Sequence, residues 1–363
     1  MLGREPKYKA VVNWVIENIS NGTFKMGERL LSENELSEKF GLSRQTVRHA
    51  IDVLEQNKFV SRIQGSGTYV GQNGKTRRPE RYLNVAVIST YSDSYIFPPI
   101  LRGIERVLSA AGYTTQIAFT GNRIDGESKA LKNIIEKNTI DGLIVEPTKS
   151  AIPNSNMHYY KRLMDQQIPI LFFNSSYPEL KLPIVALDDR KIGRKAVEYL
   201  FEKGHRKIGG IFKCDDGQGH LRYSGYMEGI IEHGLNVKSR SCVWIDTDDI
   251  ANLELFEDYL FYRLEGCTAV VCYNDEVCYL FTALCQKRGI RIPEDLSIVS
   301  VDNSDLATVG DIKITSFPHP METLGRKAAE TMINMIENPY FDGNCLFDSE
   351  LIERDSVREC EKE

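Results

Sequence analysis

Several things are missing from these 363 residues, and each absence removes a class of function. No apolar run approaches 18 residues, so a membrane-spanning helix is not expected. The first residues are charged rather than apolar, which predicts no secretory segment and a cytoplasmic protein. Histidine is scarce, at six residues. The eight cysteines all lie beyond residue 213 and form no Cys-x-x-Cys pair, so they read as small core residues rather than metal or redox ligands. Nucleophile-elbow, Walker-type and zinc motifs are absent, which leaves no expected metal, no cofactor and no enzyme. The net charge of −6 hides an asymmetry. Residues 1–82 carry 14 Lys and Arg against 9 Asp and Glu, whereas the remainder carries 31 against 42. Only the N-terminal piece is suited to a polyanion.

That piece has strong local signals. Val11, Val12, Val15, Ile16 and Ile19 recur at helical spacing between Lys7 and Ser20. Ser32 and Glu35 form a capping-box pattern that starts a second helix, with Glu33 in its first turn and Gly41 as the left-handed stop. Ser43 caps a third helix whose inner face is Val47, Ala50, Ile51 and Leu54. Arg44, Gln45, Thr46, Arg48 and His49 then cluster on its exposed N-terminal half. There Arg can fork onto guanine and Gln onto adenine in a major groove. Phe59 to Gln64 and Thr68 to Gly71 alternate as short strands around Gly65-Ser66-Gly67, which reads as a wing with Arg62 and Gln64 near its tip.

The runs Leu31-Ser32-Glu33-Asn34-Glu35-Leu36, Phe40-Gly41-Leu42-Ser43-Arg44-Gln45-Thr46-Val47-Arg48 and Gln64-Gly65-Ser66-Gly67-Thr68-Tyr69-Val70 resemble the DNA-binding domain of the GntR repressors. The resemblance implies that Arg44 and Arg48 meet bases and phosphates. It puts Gln45 and Thr46 on the helix contact surface and Gly65 and Gly67 on a minor-groove wing. Lys7 is a further phosphate candidate, and Ser32, Glu33, His49, Arg62, Gln64 and Thr68 complete the expected DNA-facing set.

Residues 1–71 are therefore expected to form a winged helix-turn-helix head of α+β class. Polar residues 72–82, with Gly74, Pro79 and Arg77-Arg78, read as a linker. From Leu83 short apolar strands alternate with amphipathic stretches, which predicts parallel α/β sheets. Strands are expected at Leu83 to Ile88, Thr115 to Ala118, Gly142 to Val145, Ile168 to Phe173, Ile184 to Leu187, Lys207 to Phe212, Ala269 to Cys272 and Ser297 to Val301. Helices between them include Tyr223 to His233 and Leu253 to Arg263. Ligands of such sheets sit at the carboxyl ends of strands. There lie Tyr91, Tyr95, Glu146, Asn174, Asp188, Asn274, Asp275 and Asp302. Asn174 and Asp188 would serve equally as turn and cap residues, and the two tyrosines as loop cover.

Ile140-Asp141-Gly142-Leu143-Ile144-Val145-Glu146-Pro147, Gly204-His205-Arg206-Lys207-Ile208-Gly209, Arg222-Tyr223-Ser224-Gly225-Tyr226, Asn274-Asp275 and Ile292-Pro293-Glu294-Asp295-Leu296 are similar to the sensor domain of LacI/GalR repressors. The similarity implies that residues 83–363 form a two-lobed, periplasmic-binding-protein-like α/β domain with an effector between its lobes. It implies a hydroxyl clamp at Arg222 and Asp302, with His319 a further candidate beside the last crossing. A GntR head on such a body resembles arabinose-responsive repressors. This implies a double-stranded DNA operator, a small sugar effector such as L-arabinose, and a homodimer with no membrane partner. A hexose, a sugar phosphate or a nucleobase stays open from the residues alone. So does an enzyme on a DNA-binding head, although an aminotransferase body would need a Schiff-base lysine, and none stands at a strand end. The hinge helix of the LacI family is missing here.

Overall fold

The computed structural model describes residues 6–25, 27–57, 59–63, 66–71, 82–92, 95–236, 241–338 and 341–360. The chain divides into two units, one of Met1–Tyr82 with Asn334–Asp342, the other of Leu83–Ile333 with Gly343–Glu363.

In the head, α1 (Tyr8–Ser20), α2 (Glu33–Phe40) and α3 (Arg44–Gln56) precede a hairpin of β1 (Val60–Ile63) and β2 (Gly67–Val70). Ser32 and Glu35 close the capping box at α2, Gly41 ends it at φ +61°, and the Ser43 hydroxyl accepts the Thr46 N–H. The valines and isoleucines of α1 pack against Leu36, Val47, Ala50, Ile51 and Leu54 in one buried core. Residues 27–30 add an edge to the hairpin: Leu30 N–H donates to the Thr68 carbonyl and Val70 N–H to that of Glu28. Sequence reading missed this third edge, because four residues without alternation carry no strand signal.

The body holds two parallel sheets. The first contains β3 (Asn84–Ser89), β4 (Thr114–Phe119), β5 (Gly142–Val145), β6 (Ile170–Phe173), β7 (Ile184–Leu187) and β13 (Cys345–Phe347), in the order β13-β7-β6-β5-β3-β4. Helices α4 (Phe97–Ala110), α5 (Ile124–Lys137) and α6 (Met157–Asp165) connect its strands. The second contains β8 (Ile208–Lys213), β9 (Cys242–Ile245), β10 (Ala269–Cys272), β11 (Ser297–Asp302) and β12 (Thr315–Pro318), in the order β12-β11-β10-β8-β9. Its helices are α7 (Asp189–Glu202), α8 (Gly217–Glu232), α9 (Thr247–Ala251), α10 (Glu257–Leu264), α11 (Asp275–Lys287) and α12 (Leu306–Val309). The chain passes between sheets after β7, again between β12 and α13 (Met321–Glu337), and a last time after β13, where Ile352 bridges to Ser316. No described helix is long and apolar enough to cross a membrane.

The expected helix Tyr223 to His233 begins six residues earlier, at Gly217, because the Asp216 carboxylate caps it through the Gly219 N–H. Four glycines in α8 had masked that start by propensity. The stretch expected as one helix from Leu253 is broken instead. Asp246 and Asp249 form a capping box for the short α9, a tight turn covers Leu253–Phe256, and α10 follows. Strands β9, β12 and β13 and helix α6 had no distinct sequence signal.

Close approach of α7 and α8 needs glycine. A Cβ on Gly225 would lie 1.8 Å from the Arg190 carbonyl oxygen, and one on Gly193 would lie 2.0 Å from that of Arg222. Gly225→Ala should therefore push the helices apart and cost about 1–3 kcal/mol as an overpacked contact. Chemical denaturation of the body would show it, and an unchanged midpoint would refute the close contact.

Candidate functional site

On the head, Arg44 and Gln45 are exposed in the first turn of α3, and Thr46 places its Oγ1 2.9 Å from the Ser43 hydroxyl. Arg48 lies one turn further along and forks onto Glu33, with Nη2 to Oε2 at 2.9 Å and Nε to Oε2 at 3.2 Å. That bond raises the Arg48 pKa and fixes its direction while leaving the guanidinium in solvent.

Arg62 departs from expectation. It does not project from the wing: its guanidinium folds back onto α3 among Asp52, Glu55 and Glu33. Its backbone N–H also donates to Glu55 Oε1 at 3.0 Å, and the ion pairs to these carboxylates engage the cation expected to face DNA. Ser32 spends its side chain on the cap, and His49 packs edge-on against Tyr8 at 4.5 Å between ring centroids. Lys7 is exposed where α1 begins. Thr68 lies in the hairpin opposite Arg62. Gly67 adopts φ +129°, and a Cβ there would meet the Arg29 guanidinium at 2.9 Å. Arg29 is thus a cation beside the wing that sequence reading passed over. Gln64 and Gly65 lie outside the described residues.

In the body, a cavity of about 500 Å³ opens between the lobes at the carboxyl ends of both sheets. Its size falls in the range of small-molecule sites. Tyr91, Tyr95, Glu146, Arg222, Asn274 and Asp302 line it. Arg222 is the centre of its charge. Nε donates to Asp189 Oδ1 at 2.7 Å, Nη1 to the Tyr273 carbonyl at 2.5 Å, and Nη2 to Asp302 Oδ1 at 3.4 Å. Burial works against the Arg222 cation, but Asp189 and Asp302 outweigh it and the pKa is raised. The other oxygen of Asp302 accepts from the Tyr95 hydroxyl at 2.5 Å, and that hydroxyl accepts from the Asp275 N–H at 3.1 Å.

Glu146 is held by three donors: Thr90 N–H at 3.0 Å, Thr90 Oγ1 at 2.5 Å and Asn174 Nδ2 at 2.9 Å. Burial still raises its pKa against those bonds. Several residues here hold positive φ without being glycine: Tyr95 at +62°, Asn122 at +53°, Lys149 at +45°, Asn174 at +61° and Asp302 at +104°. Such strain persists where surrounding contacts over-determine the backbone.

Four expected effector residues do not line it. Asn174 stands behind Glu146 and orients it. Asp275 is buried under the β11 and β12 ends, where Ser304 and Ser316 bond its two oxygens and burial pushes its carboxyl up to about 6. Asp188 is a helix cap, accepting the Lys191 N–H at 3.1 Å, and its neighbour Asp189 turns inward to Arg222 instead. His319 is buried in the crossing after β12; its backbone N–H donates to the Asp302 carbonyl at 3.0 Å, and both buried ring nitrogens lack a hydrogen-bond partner among the described residues.

Sequence reading missed Lys213, Asp216, Gln218, Tyr273 and Glu276, all of which line the cavity. Lys213 was one residue away, because the strand was ended at Phe212 when it runs to Lys213. The Tyr273 hydroxyl donates to Asp216 Oδ2 at 2.6 Å, and Lys213 Nζ lies 3.2 Å from the same oxygen.

Burial lowers His319 to about 4, which sets the direction of a pH effect. The unfolded chain takes up a proton below about 6.5 and the folded one only near 4, so this residue's contribution to stability is full above 6.5 and is lost as pH falls toward 4. Asp275, raised by burial, contributes in the opposite sense. Comparing the denaturation midpoint of wild type and His319→Leu from pH 7 to 4 isolates the histidine. Wild type should lose stability relative to the variant, and parallel profiles would exclude a neutral buried imidazole.

Residues 7–70 match the gntR family of bacterial regulatory proteins, and residues 197–357 match the periplasmic binding protein-like domain. Over 359 residues the chain is 36% identical to the arabinose metabolism transcriptional repressor of Geobacillus stearothermophilus, covering 98% of each. The repressor of the same description from Halalkalibacterium halodurans is 35% identical over 370 residues, covering 99% of this chain and 98% of that one. The chain belongs to this family of transcriptional repressors. A gntR-type head and a periplasmic binding protein-like body are both present in this chain. The HTH-type transcriptional repressor CytR of Escherichia coli is 29% identical over 292 residues, 80% of this chain and 82% of CytR.

Solved structures share the body's fold. The transcription regulator CcpA of Lactococcus lactis superposes with a TM-score of 0.68 at 21% identity, covering 76% of this chain and 99% of that one. The CelR–cellobiose complex gives 0.66 at 21%, covering 86% and 90%.

Proposed function

We propose that this repressor takes a neutral sugar, L-arabinose, into the cavity between its lobes, and that lobe closure lowers the head's affinity for its operator. The observation that carries this reading is the charge of the cavity lining. Both of its described cations, Lys213 and Arg222, are paired with carboxylates, while Glu146, Asp216, Asp248, Glu276 and Asp302 supply acceptors. A polyol offers hydroxyl protons to such a ring, with the apolar edges of Tyr91 and Phe97 beside it. A sugar phosphate would meet excess negative charge with its cations already engaged. The descriptions of the relatives as arabinose metabolism repressors support the same sugar.

The protein then acts by binding, without catalysis, in the cytoplasm. It works as a homodimer whose two heads read a roughly palindromic site, because one winged helix contacts too few base pairs for useful specificity. The head surface is Arg44, Gln45, Thr46 and Arg48, with Lys7, Gly67 and Arg29 at its margins. Ligand-driven closure shifts the population of head spacings that fit the operator.

A DNA site selected from a random-sequence pool with the full chain provides the probe. L-arabinose should release it in an anisotropy titration and bind the protein by calorimetry, whereas D-arabinose, cytidine and arabinose 5-phosphate should do neither. Absence of L-arabinose binding would overturn the reading.

A further inference from the structure

Away from the Arg222 centre, four residues form a closed ring of polar contacts across the gap between the lobes. Asn122 and Lys149 belong to the first lobe, Asp215 and Thr247 to the second. Asn122 Nδ2 donates to Thr247 Oγ1 at 2.8 Å, and Thr247 Oγ1 donates to Asp215 Oδ2 at 2.6 Å. Lys149 Nζ stands 3.5 Å from that same Asp215 oxygen, and the Lys149 backbone N–H returns to Asn122 Oδ1 at 3.0 Å. The Thr247 hydroxyl has one proton, so its bonds to Asn122 and Asp215 can only run in this direction.

Two backbone contacts flank the ring. Gly217 N–H donates to Ser150 Oγ at 2.8 Å, and Ala151 N–H to the Asp215 carbonyl at 3.4 Å. Asp215 is only 1% exposed, and Asn122 is buried too. Asn122 and Lys149 both keep left-handed backbones, a cost that the cross-lobe bonds help to hold.

The ring's place in the fold gives it leverage. Asn122 follows β4 and Thr247 follows β9, the edge strands of the two sheets. The crossings enter at β7, β13 and β12, on the opposite edges. Contacts far from a hinge act on the longest arm, so their making or breaking changes the opening between lobes most.

We propose that Asn122, Lys149, Asp215 and Thr247 form a clasp that closes the sensor, in which Lys149 and Asp215 are positioning residues that set effector affinity without touching the effector. Neither lines the cavity, whereas Asn122 and Thr247 do, and Asp215 Oδ1 lies 3.5 Å from the cavity residue Lys213. Apparent affinity scales with the fraction of protein in the binding-competent state, so a clasp that closes the lobes raises it with no added ligand contact. The effect on sugar affinity rests on the function proposed above; the effect on closure does not.

The test uses the full chain carrying Lys149→Met, which keeps the stem and removes the ammonium, and Lys149→Arg, which restores a cation. Hydrogen exchange without sugar should quicken about tenfold in the variant's 149–152 and 215–218 peptides, as expected when the open population rises from roughly a tenth of the molecules to about nine tenths and the closed population falls correspondingly. Lys149→Arg should stay near wild type. L-arabinose affinity should fall by the same factor in Lys149→Met, chiefly through faster dissociation, while DNA affinity without sugar holds or rises. Unchanged exchange in Lys149→Met overturns the clasp whether or not the sugar binds. Faster exchange with no L-arabinose binding in wild type supports the clasp and removes only the sugar. Faster exchange with unchanged sugar affinity overturns the assignment of Lys149 and Asp215 as affinity-setting residues.

Discussion

Arg222→Ala is expected to destabilise the body by about 3–5 kcal/mol and to abolish the response to effector, because it strands the buried carboxylates of Asp189 and Asp302 without their cation. Both acids are at most 3% exposed, so water cannot replace the guanidinium cheaply. The loss of stability makes this variant ambiguous by itself, and Asp302→Asn resolves it. The amide keeps the side chain's shape and can still bond Tyr95, but it no longer offers a charged acceptor to Arg222 or to a ligand hydroxyl. A lost hydrogen bond to a charged group costs roughly 1.5–3 kcal/mol, on the order of 10- to 150-fold in effector affinity. Calorimetry with L-arabinose and anisotropy with operator should therefore give a protein that binds DNA normally and fails to release it. Wild-type sugar affinity in Asp302→Asn would move the effector site elsewhere.

On the head, Arg44→Ala and Arg48→Ala together should weaken operator binding by on the order of 2–6 kcal/mol, each base or phosphate contact contributing about 1–3. The two should differ in kind. Arg44 is exposed at the helix start, whereas Arg48 is held by Glu33, so removing Arg48 also frees a carboxylate on the face proposed to meet DNA. Arg62→Ala, by contrast, should weaken the operator little, since Asp52, Glu55 and Glu33 already engage its charge. The head has its own core, so effector affinity should be untouched in all three. Gel-shift titrations at several salt concentrations separate these outcomes. Equal losses for Arg62 and Arg44 would mean that Arg62 leaves its carboxylates to reach DNA.

The sequence by itself determined the head and the alternation of the body. The capping box at Ser32 and Glu35, the glycine stop at Gly41 and the cap at Ser43 are signals that act within one turn of chain, and the structure shows each of them. Short apolar strands read equally well wherever they were long and buried on both faces, as at β5 and β8. Strand ends then pointed to Tyr95, Glu146 and Asp302, and the family resemblance to Arg222, and the fold brings all four around one cavity.

What only the tertiary structure decided is which of two neighbouring groups faces which partner. Asp188 and Asp189 are adjacent at a helix start, yet one caps it and the other holds Arg222, 33 residues away. Arg62 sits on a strand whose pattern suggests a free cation, and three carboxylates from α2 and α3 claim it. The clasp joins Asn122 to Thr247 across 125 residues. Caps and periodicity are fixed by bonds between residues three or four apart, so they leave a mark on the local sequence. Charge pairing and lobe closure depend on groups that meet only after both sheets have formed, and no local pattern encodes which of them will meet.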